Sequence, residues 1–164
     1  MSFSVRQALQ EDSRGITLVL RSVEWFEELR DEPLEKTTER VARHLALCLT
    51  GDSHFVWVAE DSASQIAAYA SVHWLPYLFL DGPEGYLSEL FVHAQARGKG
   101  IGTLLLAGVK EEARRRGCSR LLLENNRTRD SYLRGFYLKD GWEERTRMAS
   151  FVYDLAAHNQ TRSA

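Results

Sequence analysis

The chain has 164 residues, 44% of them apolar and 27% charged, a balance that builds one globular core without metal or disulfide staples. A formal charge of -2 excludes a general nucleic-acid binder, whose footprint is basic, and no apolar run approaches membrane-spanning length. Cys48 and Cys118 have neither metal nor redox spacing and the N-terminus lacks the apolar stretch of a signal peptide, so the expectation is a reduced, cytoplasmic protein.

Phe3 to Leu9 alternates apolar and polar residues and reads as a first strand. Asp12 or Ser13 caps a helix carrying Ile16, Leu20, Val23 and Phe26. Pro33 interrupts, and a second helix from about Glu35 places Val41, Leu45 and Leu49 on one stripe before Gly51 stops it. His54–Glu60 and Ile66–Trp74 read as two strands joined by the turn Asp61-Ser62-Ala63-Ser64. After a loop marked by Pro76 and Asp81-Gly82-Pro83, Gly85–Val92 is a further strand. Ile101–Arg116 is the clearest helix, with Ile101, Leu104, Leu105 and Val109 at helical spacing and Gly117 as its C-cap. Ser119–Leu123 reads as a strand, Ser131–Asp140 as a helix closed by Gly141, and Ala149–Leu155 as a final strand. Residues 156–164 read as a disordered tail. The order predicts a mixed α/β domain around one sheet.

Charge is uneven along the chain. Glu24 to Glu39 holds seven acids against Arg30 and Lys36, and Arg97 to Arg120 holds seven bases against Glu111 and Glu112. A basic segment suits an anionic cofactor and an acidic one a cationic substrate. For most of these charges the plainer reading is a solvated helix face.

The strongest local signal is Arg97-Gly98-Lys99-Gly100-Ile101-Gly102-Thr103, between a strand and a long helix. Glycines let backbone approach a ligand closely, and a helix start offers unpaired N–H donors and partial positive charge. Together they make a pyrophosphate cradle, to which Arg97 and Lys99 add fixed charge. A Walker loop, G-x-x-x-x-G-K-[ST], does not match. The dinucleotide fingerprint G-x-G-x-x-G fits Gly98 and Gly100, but Thr103 holds its third position and the first glycine stands too far past the strand. Glu124, about twenty residues on, stands where the ribose-binding acid would be, so a dinucleotide-binding protein is one alternative.

These residues resemble the GNAT superfamily of N-acetyltransferases. That family carries Q/R-x-x-G-x-G/A between its fourth strand and third helix, matched here by Arg97 to Gly102. Leu87-Ser88-Glu89-Leu90-Phe91-Val92 is similar to the family's fourth strand, and Phe136-Tyr137-Leu138-Lys139-Asp140-Gly141-Trp142 to its F-Y-x-x-x-G-F. The resemblance runs from about Tyr86 to Trp142. It departs where members place an asparagine before the tyrosine, because Asp130 stands there and Asn125 lies further upstream. The resemblance implies one domain over residues 1–155, with a mostly antiparallel sheet, splayed fourth and fifth strands and flanking helices. It also implies acetyl-CoA as the acyl donor. Leu90, Phe91 and Val92 would offer backbone to the pantetheine, with Arg97 to Thr103 (Arg97, Gly98, Lys99, Gly100, Ile101, Gly102, Thr103) on the pyrophosphate and Asn125 on the cofactor's arm.

Amine acetylation needs a neutral amine, yet an alkylamine with a pKa of roughly 10 is protonated at neutral pH, so a carboxylate must take the proton. Glu89 is the first choice for that base. Period-two spacing places it on one face with Leu87 and Phe91, where an unpaired acid is uncommon. Glu124, at the end of the next strand, is similar to a fifth-strand glutamate used as base by some members. Tyr137 matches the family tyrosine that protonates the leaving thiolate. Trp25, Trp74 and Tyr77 are candidate walls of an acceptor pocket and Glu28 is an acid at its mouth, an arrangement suited to a small cationic amine. The five histidines show no metal spacing, so no metal is expected. A protein N-terminus or lysine is the alternative acceptor, a non-catalytic acyl-CoA-binding module the alternative from another class, and a homodimer is in keeping with the resembled family.

Overall fold

The structure is a computed structural model that describes residues 2–155. Two compact units divide it, one ending at Glu124 and the other beginning at Asn125. The first holds a five-stranded sheet in the order β1 (Phe3–Gln7), β2 (His54–Asp61), β3 (Ile66–Leu75), β4 (Glu84–Val92), β5 (Arg120–Leu123). The first three pairings are antiparallel and β4–β5 is parallel, because the long crossover between those two strands holds a helix. Helices of this unit are α1 (Ser13–Arg21), α2 (Glu27–Asp31), α3 (Leu34–Leu49) and α4 (Ile101–Arg115). The β2–β3 turn forms as the sequence predicts: Asp61 Oδ1 accepts from the N–H groups of Ala63 and Gln65 at 2.9 and 3.0 Å.

Each sheet face has its own cover. Ile16 and Val19 of α1 and Leu45 of α3 pack on Val56, Val58 and Tyr69. On the other face lies α4, whose Gly108 approaches Trp57 and Val5 so closely that a Cβ would stand 3.2 Å from the indole nitrogen. Leu105, Leu106 and Val109 of α4 are fully buried, and each contributes about 1.5–3 kcal/mol on removal from water. The expected first helix ends at Arg21, short of Phe26. Arg21 holds the turn beyond it: its guanidinium donates to the carbonyls of Glu32 (2.7 Å) and Arg30 (2.9 Å). α2 was not legible in the sequence, since five residues are too few for a period to show.

In the second unit the expected helix Ser131–Asp140 is two short ones, α5 (Asp130–Leu133) and α6 (Phe136–Lys139). Gly135 between them has φ +64°, a left-handed turn that ends one helix and opens the next. The expected strand Ala149–Leu155 does not form. Phe151 and Val152 are 93% and 96% exposed, and no described strand pairs with them. An alternating pattern supplies a strand's faces but not its hydrogen-bonding partner. The expected tail, 156–164, lies outside the described residues.

Candidate active site

The two halves of β4 differ. Its ladder to β5 runs over Glu84–Arg120, Gly85–Leu121, Tyr86–Leu122 and Leu87–Leu123 and then ends, so Ser88 to Val92 have no partner on β5. At the junction the register with β3 slips. Leu87 pairs with Val72 and Glu89 with Ser71, leaving Ser88 as an extra residue, a β-bulge. The bulge overturns the expected alternation. Residues directly opposite one another share a face, so Leu87 turns with Val72 toward α4, while Glu89 and Phe91 turn with Ser71 and Tyr69 toward α1 and α3.

On that second face a cavity of about 200 Å³ is lined by Glu89, Tyr69, Ser71, Cys48, His44 and Arg40, with apolar walls from α1 and α3. Glu89 reaches solvent, yet the protein around it desolvates the carboxylate and raises its pKa; a hydrogen bond from Tyr69 and the charge of His44 oppose that shift. Buried Tyr69 is pushed well above its ordinary value, by burial first and by Glu89 second, so it keeps its proton and donates. Arg40 is already committed to Glu32. Beside the cavity, Trp25, Phe26, Tyr69 and Phe91 form an aromatic cluster, with ring centroids 5.7 Å apart for Trp25–Phe91 and 5.4 Å for Phe26–Phe91.

Beyond β4, a 3₁₀ turn (Ala94–Ala96) leads to the glycine-rich loop. The Ser22 hydroxyl accepts from the N–H of Ala94 at 3.1 Å and ties this exit to the end of α1. Gly98 and Gly100 both have φ +76°, and a Cβ on either would meet nothing within 4 Å. The backbone is thus left-handed and open on its outer side. α4 starts at Ile101 with its first-turn N–H groups unpaired. Six of the seven bases of the basic segment fall into two groups here. Arg114, Arg115, Arg116 and Arg120 are paired with Glu111, Glu112, Asp52 and Glu84, whereas Arg97 and Lys99 are exposed and make no ion pair among the described residues. Glycines, free amides and two unpaired cations fit an anionic pyrophosphate.

In the second unit Tyr137 lies on α6 with its ring 4.9 Å from Phe136 and 6.0 Å from Trp142. Burial raises its phenol to about 12, against a smaller lowering by Arg134. Asn125 accepts from the Ser131 hydroxyl at 3.0 Å.

Of the other candidate residues, Trp25 stands beside Phe91 and is 43% exposed. Glu28 is exposed on α2. Trp74 is not an open pocket wall: it is 6% exposed on the α4 face, under Gly85 and with the Arg116 guanidinium 4.9 Å over its ring. Tyr77 lies in the loop before β4, at the opposite end of that strand from Phe91. Glu124 follows β5 and lies near Tyr86, whose phenol is raised by burial and then by that charge. The reading of the sequence missed Tyr69, Ser71, His44 and Cys48. His44 and Cys48 flank the α3 stripe that was visible, but Ser71 and Tyr69 lie in an apolar run without any signal. Among the described residues no group of three or more His, Cys, Asp or Glu could hold a metal ion, and no helix is long and apolar enough to cross a membrane.

Residues 19–142 match the model of the acetyltransferase (GNAT) family. The chain is 32% identical over 139 residues to glucosamine 6-phosphate N-acetyltransferase 1 of Oryza sativa subsp. japonica, covering 84% of this chain and 78% of that one. It is 26% identical over 129 residues to thialysine N-epsilon-acetyltransferase of Mus musculus, covering 74% of each. In fold it is similar to glucosamine-6-phosphate N-acetyltransferase from Arabidopsis thaliana, with a TM-score of 0.72 and 23% identity over 94% of this chain and 100% of that one.

Proposed function

Since this chain belongs to the acetyltransferase (GNAT) family and is an acetyl-CoA-dependent N-acetyltransferase, we propose that its acceptor is the primary amine of a small molecule and that Glu89 takes the amine's proton. The observation that carries this reading is the placement of Glu89. It is a solvent-reaching but desolvated carboxylate on the half of β4 that has no partner on β5. The similarity to acetyltransferases whose names specify an amino sugar phosphate and thialysine supports a small acceptor.

Acetyl-CoA supplies the acetyl group as a thioester. The backbone of Leu90, Phe91 and Val92 would hold the pantetheine by strand-like pairing, and Arg97, Lys99 and the amides from Gly98 to Thr103 would hold the pyrophosphate. Asn125 is the carried-over contact to the cofactor's arm. Glu89, raised by desolvation, is a stronger base than a surface carboxylate, which narrows its gap to an ammonium near about 10. Tyr69 donates to Glu89 and orients it. Glu124 is the second carboxylate of the site, and Trp25 and Glu28 bound its mouth. Tyr137, whose phenol is raised by burial to about 12, keeps its proton in the resting enzyme and would donate it toward the sulfur as the C–S bond breaks.

Thiol release from acetyl-CoA across a panel of small amines tests the reading. Activity should fall as pH drops through a value above the ordinary carboxylate range. Glu89→Gln should lower kcat about a hundredfold or more and remove that acid limb. An unchanged limb in the variant would assign the base elsewhere. Tyr137→Phe should lower kcat about tenfold with little effect on acetyl-CoA affinity.

A further inference from the structure

Beyond the end of α3, the sheet face that carries Glu89 continues as a row of half-buried polar rings. Register places His54 of β2 opposite His73 of β3, and His73 opposite Tyr86 of β4. The two imidazoles meet edge-on at 4.5 Å, and His73 and Tyr86 lie 6.2 Å apart. The bulge residue links this row to Glu89. Ser88 Oγ lies 3.2 Å from the Ser71 carbonyl and 3.0 Å from His73 Nε2, so it bridges the β3 backbone and the imidazole. Burial and then His54 lower the His73 pKa, and the ring is neutral at physiological pH. Ser53 Oγ lies 2.8 Å from His54 Nδ1, and Glu124 adds a carboxylate near Tyr86.

The row therefore offers ring faces with nitrogen and hydroxyl groups that can donate or accept, beside one carboxylate. It contains neither lysine nor arginine, and Glu124 repels an anion. Such a surface pairs hydroxyl groups and stacks on C–H faces, while it gives a phosphate no lysine or arginine to pair with.

We propose that His54, His73 and Tyr86 form the acceptor subsite, and that it takes the polyhydroxylated, unphosphorylated body of an amino sugar or amino polyol whose amine lies at Glu89. The inference rests on the acetyl transfer proposed above and names the class of acceptor.

Glucosamine, glucosamine 6-phosphate and 1,4-diaminobutane are the probes, read by thiol release from acetyl-CoA and by calorimetric titration of glucosamine. In the natural sequence kcat/KM should be greatest for glucosamine, and His73→Ala and Tyr86→Phe should each lower the glucosamine-to-diaminobutane ratio of kcat/KM about tenfold, with the acetyl-CoA KM unmoved. Tyr86→Phe keeps the ring and guards against misfolding of the alanine variant. Preference for glucosamine 6-phosphate or for diaminobutane, a ratio unmoved in both variants, or equal glucosamine affinity in variant and parent would each overturn the subsite. Turnover of diaminobutane with no response to His73 or Tyr86 would leave the acetyl transfer standing. Failure of every amine would overturn that reading as well.

Discussion

β4 does two jobs along one strand, and its halves divide them. From Glu84 to Leu87 it is held on both edges, by β3 and β5. Glu84 is 1% exposed and its charge is met by Arg120. From Ser88 to Val92 only β3 holds it, and its charged residue, Glu89, lines a cavity and makes no ion pair with an arginine or lysine among the described residues. Both halves bear a glutamate. The paired one is neutralised within the fold, whereas the open one is desolvated and left available to a substrate. A bulge of one residue separates the two behaviours.

Variants on either side of Ser88 should separate rate from stability. The largest effect belongs to the open half: the loss of a hundredfold or more in kcat for Glu89→Gln should come without loss of stability. Because the folded chain raises the Glu89 pKa, its contribution to stability is fully present below the unfolded value and lost as pH rises through the folded one. The glutamine variant should therefore melt higher than the parent at neutral pH, with the difference closing toward acid. In the paired half, Arg120→Met should do the reverse, stranding buried Glu84 at a cost of about 3–5 kcal/mol. Urea titration would read that loss, with kcat per folded molecule retained. A variant that lost both properties together would break the division. Gly100→Ala places a side chain at φ +76° and should cost about 1–2 kcal/mol. It should also weaken acetyl-CoA binding by calorimetry, leaving the pH limb of Glu89 in place. Trp25→Ala, which removes one ring beside Phe91, should cost only about 0.5–1.5 kcal/mol and raise the acceptor KM.

Much of the first unit was legible in the sequence, since strands and helices with a buried face declare their period. The stripe Val41, Leu45, Leu49 on α3 and the apolar positions of α4 did so, and the glycine-rich loop declared its backbone. What failed were elements whose form depends on something remote. Ala149–Leu155 alternates as a strand does but finds no described partner. Trp74 looked like a pocket wall and is covered by Arg116 from the end of α4. Ser131–Asp140 hid a break at Gly135, where a glycine was compatible with either one helix or two.

By itself the sequence determined the order of the five strands and of α1, α3 and α4, the open turn before α4 and the presence of a glutamate on the strand that precedes it, because local backbone preference and periodic burial act over a few neighbouring residues. The tertiary structure alone decided which way that glutamate points. The direction depends on register against β3, and one unpaired residue, Ser88, exchanges the two faces of everything after it. The companions of Glu89 in its cavity, Tyr69, Ser71 and His44, come from β3 and α3, and only the packing of those elements brings them to one place.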